Sequence, residues 1–232
     1  MSRGKNKREN KQRQKKVKKI KQGQLVPFDL QNSPIKYTGF KNRYFYKANI
    51  HNLIYVQAKF ENVRYQASNI TKCNFKNAKL RGVDFCNSNL KATSFKGATL
   101  EDVIFMNCNL KDVDFRKTRF RNVYFIMTNM DVCKNIILDT NCKILKHYPT
   151  GSYINDIGKK ALYNLGKDKE IYKYHVLHVM PNKVNMWVLG ILFNEYGDGV
   201  NRALSALDKR KQKRYFYTIA SYMRFIESYL KL

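Results

Sequence analysis

Residues 78–112 read AKLRGVDFCNSNLKATSFKGATLEDVIFMNCNLKD, and the spacing of their large apolar residues decides the fold. Leu80, Phe85, Leu90, Phe95, Leu100, Phe105 and Leu110 stand five apart. A small residue precedes each by two places: Ala78, Val83, Ser88, Thr93, Ala98, Val103 and Cys108. The same beat extends outward to Phe45 on one side and Met130 on the other, 18 units in all. Only Arg43 and Leu53 break the rule of the small residue. Neither a helical period of 3.6 nor a strand period of 2 keeps one residue in five buried over such a length. A fixed short repeat describes a stacked array, in which each unit buries its apolar residue against its neighbours.

A step of 20 residues sorts the side chains by type. Phe45, Tyr65, Phe85, Phe105 and Phe125 form one aromatic column, and Tyr55, Phe75, Phe95 and Phe115 another two faces away. Mostly aliphatic columns lie between them: Ile50, Ile70, Leu90, Leu110 and Met130, and Phe60, Leu80, Leu100 and Phe120. This sorting predicts a 20-residue coil in which rings lie on rings. Asn49, Asn69, Asn89, Asn109 and Asn129 repeat at the same step outside the core, the pattern of a stacked amide ladder.

Units such as AKLRG (78–82), ATLED (98–102) and CNLKD (108–112) resemble the pentapeptide-repeat family, over roughly residues 33 to 136. The resemblance implies a mainly β fold: a right-handed quadrilateral β-helix of about five coils, stacked at about 4.8 Å per coil. It also implies a non-enzymatic protein. The best-understood branch of the family, the quinolone-resistance proteins, protects DNA gyrase by imitating the shape and charge of duplex DNA, and some of its members dimerise through a C-terminal helix.

Charge divides the chain further. Of the formal net charge of +28, residues 1–24 contribute +10, residues 25–32 contribute −1, residues 33–136 contribute +11 and residues 137–232 contribute +8. Solubility alone needs only about 2–8, so the excess points to an anionic partner. Residues 1–24 form a basic arm with too little apolar surface to fold alone. The arm has no secretory apolar core, and it carries Arg3, Lys5, Lys7, Arg8, Lys11, Arg13, Lys15, Lys16, Lys18, Lys19 and Lys21. Residues 25–136 are assigned to the β-helix and 137–232 to a small α-helical domain of about four helices packed against its end. In that domain Ser152 is expected to cap a first helix through Ile154–Gly166, and Asn182 a second over 183–196; residues 171–179 read as helix or strand. Self-association through these helices, giving a homodimer, follows from the family analogy.

Five cysteines without a C-x-x-C pair or an even framework, in a chain with no export signal, point to a reducing cytoplasm; no apolar run approaches the ~20 residues of a spanning helix. Cys73, Cys108 and Cys133 fall on inward positions, whereas Cys86 is expected to be accessible. His175 and His178 share helical spacing, but no further ligand stands nearby in the sequence, so no metal, cofactor or catalytic residue is assigned. On the surface, Lys76, Lys96 and Arg116 follow one core column, while Lys79, Arg119 and Arg121 flank the next. Ile104, Met106, Tyr124 and Ile126 point outward together, as a patch for the C-terminal helices or another protein. The resulting expectation is a non-catalytic scaffold binding RNA, DNA or a nucleoprotein assembly. The alternatives are a gyrase-protecting protein, which has the opposite charge, and an effector docking on an acidic membrane or a protein partner.

Overall fold

The structure, a computed structural model, describes residues 28–149 and 154–232. Left-handed corners set the coil. Every fifth residue from 42 to 127 lies at positive φ, so the chain turns sharply after each inward large residue. Asn, Asp and Gly take many of these corners, because they tolerate that region at least cost. Between corners the backbone is extended and pairs in parallel with the coils above and below. The strands are β1 (Asp29–Gln31), β2 (Gly39–Tyr46), β3 (Asn49–His51), β4 (Lys59–Gln66), β5 (Asn69–Thr71), β6 (Lys79–Cys86), β7 (Thr99–Met106), β8 (Arg119–Arg121), β9 (Val123–Ile126) and β10 (Cys142–Leu145).

The register is the expected 20 residues: Phe60 pairs with Leu80, Leu80 with Leu100, and Leu100 with Phe120. Rings stack up both aromatic columns, Phe85 on Phe105 at 5.3 Å and 9°, Phe95 on Phe115 at 5.4 Å and 8°. The small inward residues also have a polar task. Thr93, Thr118 and Thr128 donate to carbonyls 23 residues back, at 2.8, 2.9 and 3.0 Å. The outer amide ladder forms from Asn49 through Asn69 and Asn89 to Asn109, with N···O distances of 2.9 to 3.2 Å. It begins on Asp29 and ends at Asn109; Asn129, like Asn89 and Asn109, accepts from the amide two residues on.

The longest sheet has six rungs, where about five coils were expected. The beat fails after Met130, yet Asp114 bridges to Lys134 and β10 pairs with β9, so the stack passes residue 136. Parallel pairing needs only backbone, and Ile136 and Cys142 pack against the core without keeping the five-residue spacing. The last rung is offset by 19 residues, Val123 against Cys142.

Five helices follow: α1 (Asp156–Lys167), α2 (Lys169–Tyr172), α3 (Met186–Tyr196), α4 (Gly199–Lys209) and α5 (Ile219–Leu230). Asn155 caps α1 by accepting from the Gly158 amide; the expected cap, Ser152, lies outside the described residues. The segment 171–179 finishes α2 and enters β11 (His178–Met180), which forms a hairpin with β12 (Lys183–Val184). That pairing takes the first residues of the expected 183–196 helix, so Asn185 rather than Asn182 precedes it.

The helices do not sit on the end of the solenoid, as the sequence suggested. They lie along the flank whose core column is Phe45–Phe125. Ile104, Tyr124 and Ile126 are buried there in one cluster with Leu189, Leu192 and Ile226, and Met106 packs against it half-buried. That face is therefore closed by the chain's own helices and is not open to another protein. The same cover buries Cys86, which was expected to be accessible.

A buried ion pair sits at the centre of this seam. Arg64 and Asp84 occupy the same outward position on adjacent rungs, and their side chains are 3% and 0% exposed. Asp84 Oδ2 accepts from Arg64 Nη1 at 2.8 Å and from the amide of Ile219, the first residue of α5, at 3.0 Å. Arg64 Nη2 reaches Gln66 Oε1 and the His175 carbonyl. Burial pushes the Asp84 carboxyl up to about 6, while the Arg64 charge and the Ile219 amide pull the other way. Beside it, Thr218 Oγ1 donates to Asn62 Oδ1 and Asn62 Nδ2 to the Tyr215 carbonyl. In the corner column Asn42, Asn62, Gly82, Asp102, Asn122, the glycine stands where α5 comes closest: a Cβ there would lie 3.0 Å from that of Ala220.

Three stability outcomes follow from this packing. Phe95→Ala should cost about 3–5 kcal/mol, against less than about 0.5 kcal/mol for Lys96→Ala; denaturant melts showing the two equal would refute the stacking. The Tyr65 hydroxyl is buried without a partner among the described residues, in a column otherwise made of phenylalanines. Tyr65→Phe is therefore expected to stabilise by about 1 kcal/mol. Arg64→Met should cost about 3–5 kcal/mol by leaving Asp84 unpaired, and adding Asp84→Leu should recover only part of that, because the Ile219 amide then lacks its acceptor. A double-mutant cycle with no coupling would show that the pair does not hold the seam.

Candidate nucleic-acid interface

The faces left uncovered by the helices carry the cations. On the face of Phe75, Phe95 and Phe115, each coil presents one outward cation directly after its core ring: Lys76, Lys96 and Arg116. Their backbone is pinned the same way each time. The preceding side chain, Asn74, Ser94 or Asp114, accepts from the cation's own amide at 3.0, 3.4 and 3.0 Å. Asn74, Ser94 and Asp114 are themselves bridged rung to rung. The three cations therefore repeat at the coil spacing of about 4.8 Å, of the same order as the ~3.4 Å rise per phosphate along one strand of a duplex.

Burial pushes the Asp114 carboxyl up, but it is outweighed by hydrogen bonds from Asn135 and the Arg116 amide and by the charges of Arg116 and Lys96. The group ends below its usual range. It stays anionic and trims the field of the column at its lower end.

The neighbouring face has two outward columns of different character. Before the core residue stand Lys59, Lys79, Thr99 and Arg119, in register, with Arg119 Nη2 donating to Thr99 Oγ1 at 3.0 Å. After it stand Lys41, Glu61, Arg81, Glu101 and Arg121, whose signs alternate. Lys41 pairs with Glu61 at 2.9 Å, and Glu101 lies 3.5 Å from Arg81 and 4.0 Å from Arg121. Arg121 thus belongs to a charge ladder that neutralises itself. Lys76, Lys79, Lys96, Arg116 and Arg119 have no carboxylate within 4.0 Å among the described residues.

A third cationic column was overlooked in the sequence. Lys91 and Lys111 project from the amide-ladder face, their amides held by Asn89 and Asn109 at 3.1 and 3.0 Å. Reading the position two after each ladder asparagine at a step of 20 reveals it. The basic arm, residues 3 to 21, lies outside the described residues.

The two histidines are engaged separately. His178 is buried with Nε2 2.9 Å from the Leu162 carbonyl, and burial lowers its pKa; His175 packs on Tyr172 at 4.8 Å. Among the described residues no group of three or more His, Cys, Asp or Glu is placed to hold a metal ion. No described helix is long and apolar enough to cross a membrane.

The family model described as pentapeptide repeats matches residues 68–107, in eight copies. Among solved structures the chain is similar to a pentapeptide repeat protein of the Arabidopsis thaliana thylakoid lumen, at 19% identity over 42% of this chain and 68% of that one, with a TM-score of 0.29. It is also similar to HetL, a pentapeptide repeat protein involved in heterocyst differentiation regulation in a Nostoc cyanobacterium, at 14% identity over 50% and 61%, TM-score 0.29. A third is QnrB1, a plasmid-mediated fluoroquinolone resistance protein, at 15% over 41% and 57%, TM-score 0.27. No curated protein matches. With the five-residue beat, the left-handed corners and the 20-residue register all present, residues 68–107 are pentapeptide repeats within a β-solenoid that carries helices along one face.

Proposed function

We propose that this chain is a non-catalytic scaffold that binds nucleic acid, or an assembly containing it, through its basic arm and the cationic repeat faces. The observation that supports this reading most is the repetition of cations without acidic partners at the coil spacing, Lys76–Lys96–Arg116 on one face and Lys59–Lys79 with Arg119 on the next. A regular array of cations on a rigid backbone meets a phosphate chain without needing to read bases, so the expected binding has little sequence preference. Protection of a topoisomerase by imitation of DNA would require the opposite sign on these faces, because like charges brought together cost several kcal/mol.

The reading is tested by the salt dependence of binding to single- and double-stranded RNA and DNA. Deleting residues 1–24, or replacing Lys76, Lys96 and Arg116 together by glutamine, should weaken binding and flatten the slope of log K against log salt. For the triple replacement the slope should fall by roughly 2–3 units, at about 0.7–0.9 for each phosphate no longer neutralised. An intact protein that binds neither RNA nor DNA at low salt would sink the proposal.

A further inference from the structure

The basic run Lys209–Arg214 links α4 to α5, and its cations part company there. Lys213 pairs with Asp168 at 3.1 Å. Arg210 and Arg214 border a cavity of about 320 Å³ together with Arg224 of α5, against the Asn42–Asn62 corner of the solenoid. Among the described residues no Asp or Glu lines this cavity, and none of the three arginines has a carboxylate within 4.0 Å. Asp84 feels the charge of Arg224 but lies more than 4.0 Å from it, with Oδ2 bonded to Arg64 and the Ile219 amide and Oδ1 without a partner among the described residues.

Two of the guanidinium groups are positioned by packing. Arg210 lies over the Phe225 ring at 5.8 Å. Arg224 occupies the space above Gly82, where a Cβ would come within 3.3 Å of its Nη1. Three cations gathered around one cavity repel each other unless an anion lies between them. Guanidinium forks fit phosphate oxygens in pairs, and three of them suit a dianionic phosphomonoester better than a singly charged backbone diester. The volume lies in the range of small-molecule sites, and the exposed ring of Tyr215 at its border offers a surface for an attached base.

We propose that this cavity is a phosphate-binding site taking the terminal phosphomonoester of a nucleotide or nucleic-acid strand; the choice of ligand rests on the nucleic-acid reading above. The test measures binding of the full chain to an oligonucleotide with a terminal phosphate at either end, to the same strand ending in hydroxyls, to adenosine monophosphate and to inorganic phosphate. The phosphorylated strand should bind about tenfold more tightly than the hydroxyl strand, as expected for the charge-assisted hydrogen bonds that the hydroxyl strand cannot make. The difference should vanish in Arg214→Gln and Arg224→Gln, while affinity for the hydroxyl strand changes little. Arg214 is exposed, so its variant separates a lost ligand from a lost fold, which thermal melting checks. Binding of the monophosphate, sensitive to Arg214→Gln, with no binding of either strand, would keep the phosphate site and sink the nucleic-acid reading. Equal affinity for both strands, with no binding of the monophosphate or of inorganic phosphate, would overturn the site.

Discussion

The parallel register of 20 residues is the constraint on which everything else in this molecule depends. Once Leu80 pairs with Leu100 and Phe85 with Phe105, each ring must find a ring above it, each amide an amide, and each outward charge another outward position in the same column. The register is enforced twice. Backbone hydrogen bonds run from coil to coil on every side, and left-handed corners at every fifth residue keep each side of the coil at the same length. A slip of one residue would turn the inward column outward along the affected coil, and the core would lose its stacked rings.

The same register explains how a solenoid, whose surface is polar by construction, acquires a flank for a second domain. Tyr44, Arg64, Asp84, Ile104 and Tyr124 form one outward column. Its later members are apolar enough to meet α3 and α5. The earlier ones form an ion pair, and a buried ion pair must be matched closely to hold together. Asp84 Oδ2 takes the first amide of α5 and Arg64 Nη2 the His175 carbonyl, while Asp84 Oδ1 and Arg64 Nε are buried without partners among the described residues, so the pair fixes where the helices sit without being fully satisfied. Tyr124 repeats the arrangement lower down: its hydroxyl donates to Glu195 of α3 at 2.7 Å, and Lys143 of the last rung is bonded to both.

Covering one flank leaves the remaining faces as the solvent surface of the repeat. There the columns sort into a self-neutralising strip, Lys41 to Arg121, and cationic strips without acidic partners. Fields of one sign add along a column because its members stand one coil apart, well within the roughly 8 Å screening length of physiological salt. A surface of this kind attracts polyanions over distances greater than any single contact, which is the physical basis of the binding role proposed here.

The sequence by itself determined the coil. The five-residue beat names the inward residues, and the step of 20 sets the register, the aromatic columns and the amide ladder, because in a solenoid neighbours in space are neighbours at a fixed interval along the chain. Part of the surface was legible for the same reason: the column of Lys76, Lys96 and Arg116 could be read directly, and Lys91 with Lys111 and the alternating strip could have been. The tertiary structure alone decided the rest. Nothing in a local pattern says that Cys86, outward by the rule of the repeat, lies under helices a hundred residues later, or that Asp84 meets the amide of Ile219. Nor could the strand ladder beyond Met130 be read from side chains, since backbone pairing carries it. Likewise, Lys213 and Arg214 are adjacent in one basic run, yet one is spent on Asp168 and the other faces a cavity with Arg224. Those partners come from distant parts of the chain, and their pairing depends on shape and burial that no fixed interval encodes.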